Sequence, residues 1–437
     1  MDHAATTRWF DALGEILGHS HRWSPDAMAS WVAAAAVPLG LRTTIWLVDY
    51  EQVSLRALAE PGRPAPPPMP IAGTLAGRAF ARVESLAAGT DERQWWIPMV
   101  DGTDRLGVLE VVRSEAAGPA DSTFRQRCEL LAGLVGHLVT TTSERGDHLD
   151  RARRSAAMSP GAEMLWRMLP PLTATGDGVV VSAVLQPCYD VGGDGFDYTL
   201  ENGRVNVAIF DAVGKGLPAA LTCSVALAAI RAARRAGQGL GEQARAADDA
   251  VAEQFPDARF VTAVLAELDL ASGRLSYLNA GHPPPMVLRR GRAVHELGSG
   301  RRLPLGLGDR RSGTAELILE PGDRLLCYTD GVTEARTPDG DRFGLTRLIH
   351  LIDRHAGSGL PVPEVLRRLA HAVLEHQGGP RTTTPRFCCW NGPPRPPATP
   401  CRTPTGTEKT RINDDRPGPD CGDDPRDRGG RGPRPGR

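Results

Sequence analysis

Three aspartates stand in contexts that could do chemistry. Val205-Asn206-Val207-Ala208-Ile209-Phe210 alternates like a strand and ends in Asp211, followed by Ala212-Val213-Gly214-Lys215-Gly216. The run Arg324 to Thr329 also ends in an acid, Asp330, then Gly331. The segment Asp190-Val191-Gly192-Gly193-Asp194-Gly195-Phe196-Asp197 puts Asp194 in a glycine-rich turn. A carboxylate at the end of a buried strand is costly to desolvate unless something pairs with it. Lys215 is the one basic residue close by in sequence. Several such carboxylates converging would repel one another, and a divalent cation removes that cost. All-oxygen ligands with retained waters suit Mg2+ or Mn2+ rather than zinc. The glycines let the backbone come close to ions and their waters.

The ordinary reading of one Asp after a strand is a turn residue or a helix cap. Asp211 could cap a helix opening at Gly216, but three acids in this frame exceed that account. A phosphate-loop reading of Gly214-Lys215 fails twice. It needs Gly where Ile209 stands and Ser or Thr where Gly216 stands. Gly192-Gly193-Asp194 does not fit the dinucleotide fingerprint either. His282 is a tempting general acid, but it lies beside prolines between strand-like runs, which favours a structural turn role.

These residues must be positioned by an α/β unit over residues 171–377. Strand patterns fall at Val179–Leu185, Val205–Phe210, Val261–Leu268, Leu275–Asn279, Met286–Arg289 and Leu325–Thr329. Helical patterns fall at Leu217–Arg235, Leu240–Gln254, Leu345–His355 and Pro361–His376. Ahead of it, residues 7–146 read as a second α/β unit. Ser24-Pro25 starts a helix. Strand-like runs follow at Thr43–Tyr50 and Val53–Leu58, a short helix at Gly73–Arg82, and a hairpin at Trp95–Val100 and Leu106–Val112. Ser122–Thr142 closes the unit as a helix. Residues 147–170 read as a helical linker stopped by Pro170-Pro171.

Bulk properties narrow the function classes. The 437 residues are 41% hydrophobic and 24% charged with formal net charge -1, which fits globular domains and disfavours nucleic acid or an anionic membrane as partner. The N-terminus has no secretory pattern, and the apolar stretch Ala27–Leu41 is broken by Pro38 and too short for a membrane span. None of the eight cysteines forms a CxxC pair. Cys128, Cys188, Cys223 and Cys327 read as buried free thiols, and a cytoplasmic location is expected.

With these residues in view, 171–377 resembles the SpoIIE-like branch of the protein phosphatase 2C (PPM) family. The likeness runs in order through Met168-Leu169-Pro170, Val191-Gly192-Gly193-Asp194, Phe210-Asp211 with Gly214-Lys215-Gly216, and Phe260-Val261-Thr262-Ala263. It continues through Asn279-Ala280-Gly281-His282-Pro283-Pro284, Pro304-Leu305-Gly306, Gly322-Asp323, Tyr328-Thr329-Asp330-Gly331 and Phe343-Gly344. The resemblance implies an αββα sandwich with two Mn2+ or Mg2+ ions in its cleft. Asp211 would bridge both ions, the Ala212 carbonyl would hold one, Asp194 would bind the second and Asp330 the first. It implies a serine/threonine protein phosphatase whose substrate is a phosphorylated regulatory protein, often a STAS-type anti-anti-sigma factor. Residues 9–142 resemble a GAF domain through Thr74-Leu75-Ala76-Gly77-Arg78-Ala79-Phe80 and Gly107-Val108-Leu109-Glu110-Val111. That likeness implies an unidentified small-molecule ligand or a homodimer. The expected fold class is therefore α+β: a GAF-like sensor, a linker, a PPM-type sandwich and a disordered tail over 378–437, where 13 of the 37 prolines fall.

One departure weighs on activity. The family ends in a strand preceded by Asp-Asp, the second of which completes the first metal site. Here that place reads Pro380-Arg381-Thr382-Thr383-Thr384-Pro385-Arg386-Phe387-Cys388-Cys389-Trp390-Asn391, with no acid. Taking the third base of each codon with the first two of the next turns Phe-Cys-Cys-Trp-Asn into Leu-Leu-Leu-Glu, whichever synonymous codons are used. With G-ending codons before it, the segment becomes Asp-Asp-Asp-Ala-Ala-Val-Leu-Leu-Leu-Glu. A frameshift near Pro380 would account for both the missing acid and the Pro/Arg-rich tail. As written, the sheet is expected to lack a strand, and a non-catalytic pseudophosphatase is the competing reading.

Overall fold

The computed structural model describes residues 3–391 apart from 23, 61, 118–119, 187, 191, 291, 312, 357 and 380–385. Alternation along the strands of the C-terminal half builds two six-stranded sheets that pack face to face. In strand Arg204–Ala212, Val205, Val207 and Ile209 face the opposite sheet, while Ala208, Phe210 and Ala212 face outward. The period-2 rule of a pleated strand dictates this split. Val264, Ala266, Leu268, Leu275 and Tyr277 join the inner face, and Val179, Val181, Val287, Leu325 and Cys327 meet them from the second sheet.

Helices cover both outer faces. Pro160–Met168, Gly216–Arg235 and Leu240–Gln254 cover the first sheet, and Gly344–Ala356 and Val362–His376 cover the second. The result is the four-layer αββα arrangement expected. Gly216–Arg235 is long and apolar enough to cross a membrane, but Ala219, Cys223, Ala226, Leu227 and Ile230 pack it against the first sheet.

The second sheet runs Arg292–Glu296, Met286–Arg289, Arg324–Tyr328, Arg386–Asn391, Val179–Leu185 and Thr173–Gly176. This corrects two expectations, that the sheet lacks a strand and that ordered structure stops at 377. Arg386–Asn391 pairs antiparallel with Arg324–Tyr328 on one side and Val179–Leu185 on the other. The physical reason is composition: Phe387-Cys388-Cys389-Trp390 is a β-prone apolar run inside an otherwise Pro/Arg-rich stretch. The expected disorder beyond 391 lies outside the described residues.

The N-terminal half forms an antiparallel sheet in the order Met69–Pro70, Ser54–Ala57, Leu41–Val48, Asp104–Arg113, Gln94–Asp101, Leu86–Ala88. Helices His3–His19, Met28–Ala36 and Ser122–Thr142 pack on one face. Helix Leu75–Arg82 packs on the other, against Trp46, Trp96 and Val108. Ser24-Pro25 opens only a short 3-10 turn, and the helix proper starts at Met28. The linker is two helices, not one. His148–Arg153 ends at Arg154, and Ser159 caps a new helix with Pro160 at its first turn. Pro160 forces the preceding residue to extended backbone, so the helix must restart there.

Candidate active site

The inner-face parity of the first sheet carries three polar residues to one end. Asp194 pairs with Asp211, and Asp211 pairs with Thr262, in register across three adjacent strands. Each lies two residues beyond an inward apolar residue (Phe196, Ile209 and Val264) and so projects from the same face. Asp194 is the first residue of strand Asp194–Glu201, not a turn residue as expected. The two glycines before it lie outside the strand, with Gly193 at a bend. Asp211 lies inside its strand, which runs on to Ala212. It does not cap the following helix, whose N-cap is Lys215. Asp330 opens the short helix Asp330–Thr333 directly after strand Arg324–Tyr328.

Asp211 and Asp330 line one cavity of about 390 Å³, together with Thr262, Asn279, His282, Arg301 and Arg302. Burial, and then the charge of Asp330, push the Asp211 carboxyl up to about 7. Asp330 is raised by burial and by Glu334, against a lowering contribution from the Gly331 amide. A pair of desolvated carboxylates that resist ionisation side by side is what a bound cation would relieve. Backbone geometry fits this too. A Cβ on Gly193 would run into the Ala212 carbonyl oxygen, so glycine there keeps the approach to that oxygen open. Carboxylate and carbonyl oxygens suit a hard divalent ion. Among the described residues, however, no group of three or more His, Cys, Asp or Glu is close enough to hold a metal. The structure thus pairs Asp194 with Asp211, and Asp211 with Asp330, without gathering all three into one ligand shell.

His282 belongs to the cavity wall and to a turn at once. Its amide donates to Asn279 Oδ1 at 2.8 Å, and Asn279 Nδ2 donates to the His282 carbonyl at 2.9 Å. Its Nδ1 lies 2.9 Å from Thr262 Oγ1. Burial pushes the imidazole down to about 3, with the Tyr328 backbone opposing. A neutral, clamped ring fits the turn role favoured from sequence.

Sequence reasoning missed the cationic side of the cavity. Buried Arg302 donates to Asp248 at 3.1 Å and to the Asp309 carbonyl at 2.6 Å, which fixes the wall. Exposed Arg301 is steadied by the Gly298 carbonyl at 2.9 Å. Buried Asp197, three residues after Asp194, takes ion pairs from Arg231 at 2.6 Å and Arg234 at 2.8 Å. That pins the long helix to the strand carrying Asp194. No local pattern marks these pairs, because their members lie far apart in sequence.

Residues 201–382 match the family model for stage II sporulation protein E (SpoIIE). The chain is 27% identical over 217 residues to protein IcfG of Synechocystis, covering 43% of this chain and 34% of that protein. It is 28% identical over 201 residues to phosphoserine phosphatase RsbU of Bacillus subtilis, covering 45% of this chain and 58% of RsbU. Both curated relatives are thus matched over less than two thirds of their own length. Among solved structures, the SiaA-PP2C domain of Pseudomonas aeruginosa is 25% identical with a TM-score of 0.45, covering 58% of this chain and 99% of that one.

Proposed function

We propose that the chain, whose residues 201–382 match the family model for stage II sporulation protein E (SpoIIE), is a metal-dependent serine/threonine protein phosphatase. The observation that carries the reading is the shared cavity of Asp211 and Asp330, in which the Asp211 carboxyl is held up to about 7. In this reading Asp194, Asp211, Asp330 and the Ala212 carbonyl would be the groups that hold two Mn2+ or Mg2+ ions. When bound, such ions lower the pKa of water and offset charge on a phosphoryl group.

The chain's own residues supply the rest. Asp211 and Asp330 give the cavity its two carboxyl groups. Arg301, exposed on the cavity lining and held through Nε by the Gly298 carbonyl, would turn its terminal nitrogens to a phosphoryl oxygen, since a guanidinium forks onto such oxygens. Arg302 is held by Asp248 and Asp309 and acts as wall. His282 stays neutral and orients Thr262 next to Asp211.

The substrate class we propose is a phosphoserine or phosphothreonine on a regulatory protein, with a STAS-type anti-anti-sigma factor as first candidate. The N-terminal domain is proposed as a GAF-like sensor that responds to a small molecule or pairs two copies of the chain. Mn2+-dependent hydrolysis of a phosphoserine peptide, lost in Asp211→Ala, is the expected result. A chain inactive with Mn2+ and Mg2+ alike would leave the second reading, a pseudophosphatase that docks its partner without turnover. The segment at 380–391, which carries no acid, favours that alternative.

A further inference from the structure

A cavity of about 1230 Å³ opens between the N-terminal domain and the sandwich. One wall is helix Leu75–Arg82 with Gly73-Thr74 leading into it, and the other is helices Gly344–Ala356 and Val362–His376. Arg78 and Arg82 line the first wall, and Arg347, Arg354, Arg367 and Arg368 line the second. Only Glu364 and Glu375 oppose these six arginines, an excess of four positive charges with the histidines neutral. Glu364 is already engaged by Arg105, Arg367 and Arg368. Arg78, Arg82 and Arg354 form no ion pair among the described residues.

A surface rich in arginine is ordinarily just a solvated face. Here the charges come from two separately built domains and converge across a cleft, where they repel one another until an anion enters. The field is felt inside. The His355 ring is held below its usual range by burial and then by Arg368 and Arg354. The first turn of helix Leu75–Arg82, capped by Thr74, adds backbone amides of the same sign. Guanidinium forks match phosphate oxygens two at a time. The volume exceeds that of most small-molecule sites, roughly 300–1,000 Å³.

We propose that this interdomain cavity binds a small polyanion with two or more linked phosphate groups, contacted from both domains at once. The ligand would lie beside helix Val362–His376, which packs against strands Val179–Leu185 and Arg386–Asn391 of the sandwich. Occupancy would therefore tie the N-terminal domain to the catalytic sheets. The site is separate from the Asp211 cavity, so the proposal stands whether or not the chain turns over substrate.

The test is calorimetric titration of the full chain with sodium tripolyphosphate, in EDTA so that no metal at the aspartates can bind the probe. The expected result is saturable one-to-one binding that weakens at least tenfold in Arg82→Glu/Arg354→Glu, one change on each wall, and is unchanged in Asp211→Asn. Both arginines are exposed, and a thermal melt checks that the double variant folds. If it does not, Arg78→Gln is the substitute, with a smaller loss expected. Absence of saturable binding, or equal affinity in the charge-reversed protein, overturns the proposal. So does retention on phosphatidylglycerol vesicles with no binding of tripolyphosphate, which would point to a membrane-facing surface.

Discussion

Arg105 of the N-terminal sheet donates through Nη1 to Glu364 Oε2 of the sandwich at 3.2 Å, with side-chain exposures of only 4% and 0%. Arg367 and Arg368 close on the same carboxylate at 2.8 Å. Arg367 also reaches the Gln52 carbonyl at 3.0 Å, and His371 Nε2 sits 2.9 Å from the Glu51 carbonyl. A carbonyl can only accept and the Arg367 guanidinium beside Nδ1 can only donate, so His371 is neutral with its proton on Nε2. The turn at Glu51-Gln52 and the Glu364 cluster together lock the two domains.

That lock gives a pH prediction. Burial alone would raise the Glu364 carboxyl, but the hydrogen bonds and charge of Arg367, aided by Arg105 and Arg368, hold it at about 2. A carboxyl depressed in the folded state contributes stability above its unfolded pKa and loses it as pH falls through the folded one. The window is therefore pH 4.5 down to about 2. Glu364→Gln should cost on the order of 3 kcal/mol at pH 7, because it strands two buried guanidinium groups. Its effect should shrink at pH 2–3. Urea melts at both pH values check this, and an equal loss at both would show that packing, not charge, dominates.

Asp211 predicts the opposite sign. Its carboxyl is raised to about 7 in the folded, metal-free protein, so ionisation there opposes folding. Stability from this group is complete below about 3.8 and is lost as pH climbs through 7. Asp211→Asn should therefore stabilise the EDTA-treated protein at pH 8 by roughly 2–4 kcal/mol, while removing metal-dependent turnover. A lower melting temperature for this variant at pH 8 would contradict the electrostatic account.

Gly193→Ala tests the backbone cradle. The added Cβ would meet the Ala212 carbonyl oxygen and the Ala219 side chain, so the bend before Asp194 must shift. A cost of about 1–3 kcal/mol is expected from overpacking. Mn2+ affinity, read by titrating activity against the ion, should fall more than stability does. Gly313→Ala, where nothing lies within 4 Å and φ is not positive, controls for the loss of a glycine without a clash.

Much of this architecture was legible because strand parity is written in the sequence. Val205, Val207 and Ile209 alternate with Ala208 and Phe210, and that pattern alone carries Asp211 to the inner face. In the sequence Asp194 looks like part of a turn because Gly192-Gly193 punctuates the chain, and the strand it opens, Asp-Gly-Phe-Asp-Tyr-Thr-Leu-Glu, is half polar. Its register opposite Asp211 depends on a neighbouring strand and leaves no local mark. Arg105 and Glu364 lie 259 residues apart, so no spacing rule could join them. Strand Arg386–Asn391 was hidden by the composition around it. A six-residue run gains its stability from the two strands that flank it.

That strand carries the last prediction. Tyr328 pairs antiparallel with Phe387, so the chain enters this strand at the end of the sheet where Asp330 sits. Residues 381–385 are Arg-Thr-Thr-Thr-Pro and contain no carboxylate. Replacing residues 381–390 by the shifted-frame segment Asp-Asp-Asp-Ala-Ala-Val-Leu-Leu-Leu-Glu puts acids there. It also keeps an apolar run where Phe387-Cys388-Cys389 now forms the strand, so the sheet should survive the exchange. Mn2+-dependent hydrolysis of a phosphoserine peptide should rise at least tenfold over the chain as written, and half-maximal activity should need less Mn2+. The gain should vanish when Asp330→Ala is added, because acids at the entrance cannot complete a site whose other carboxylate is gone. Equal rates with and without the exchange, in a protein that melts cooperatively, would mean that the missing acid does not limit catalysis.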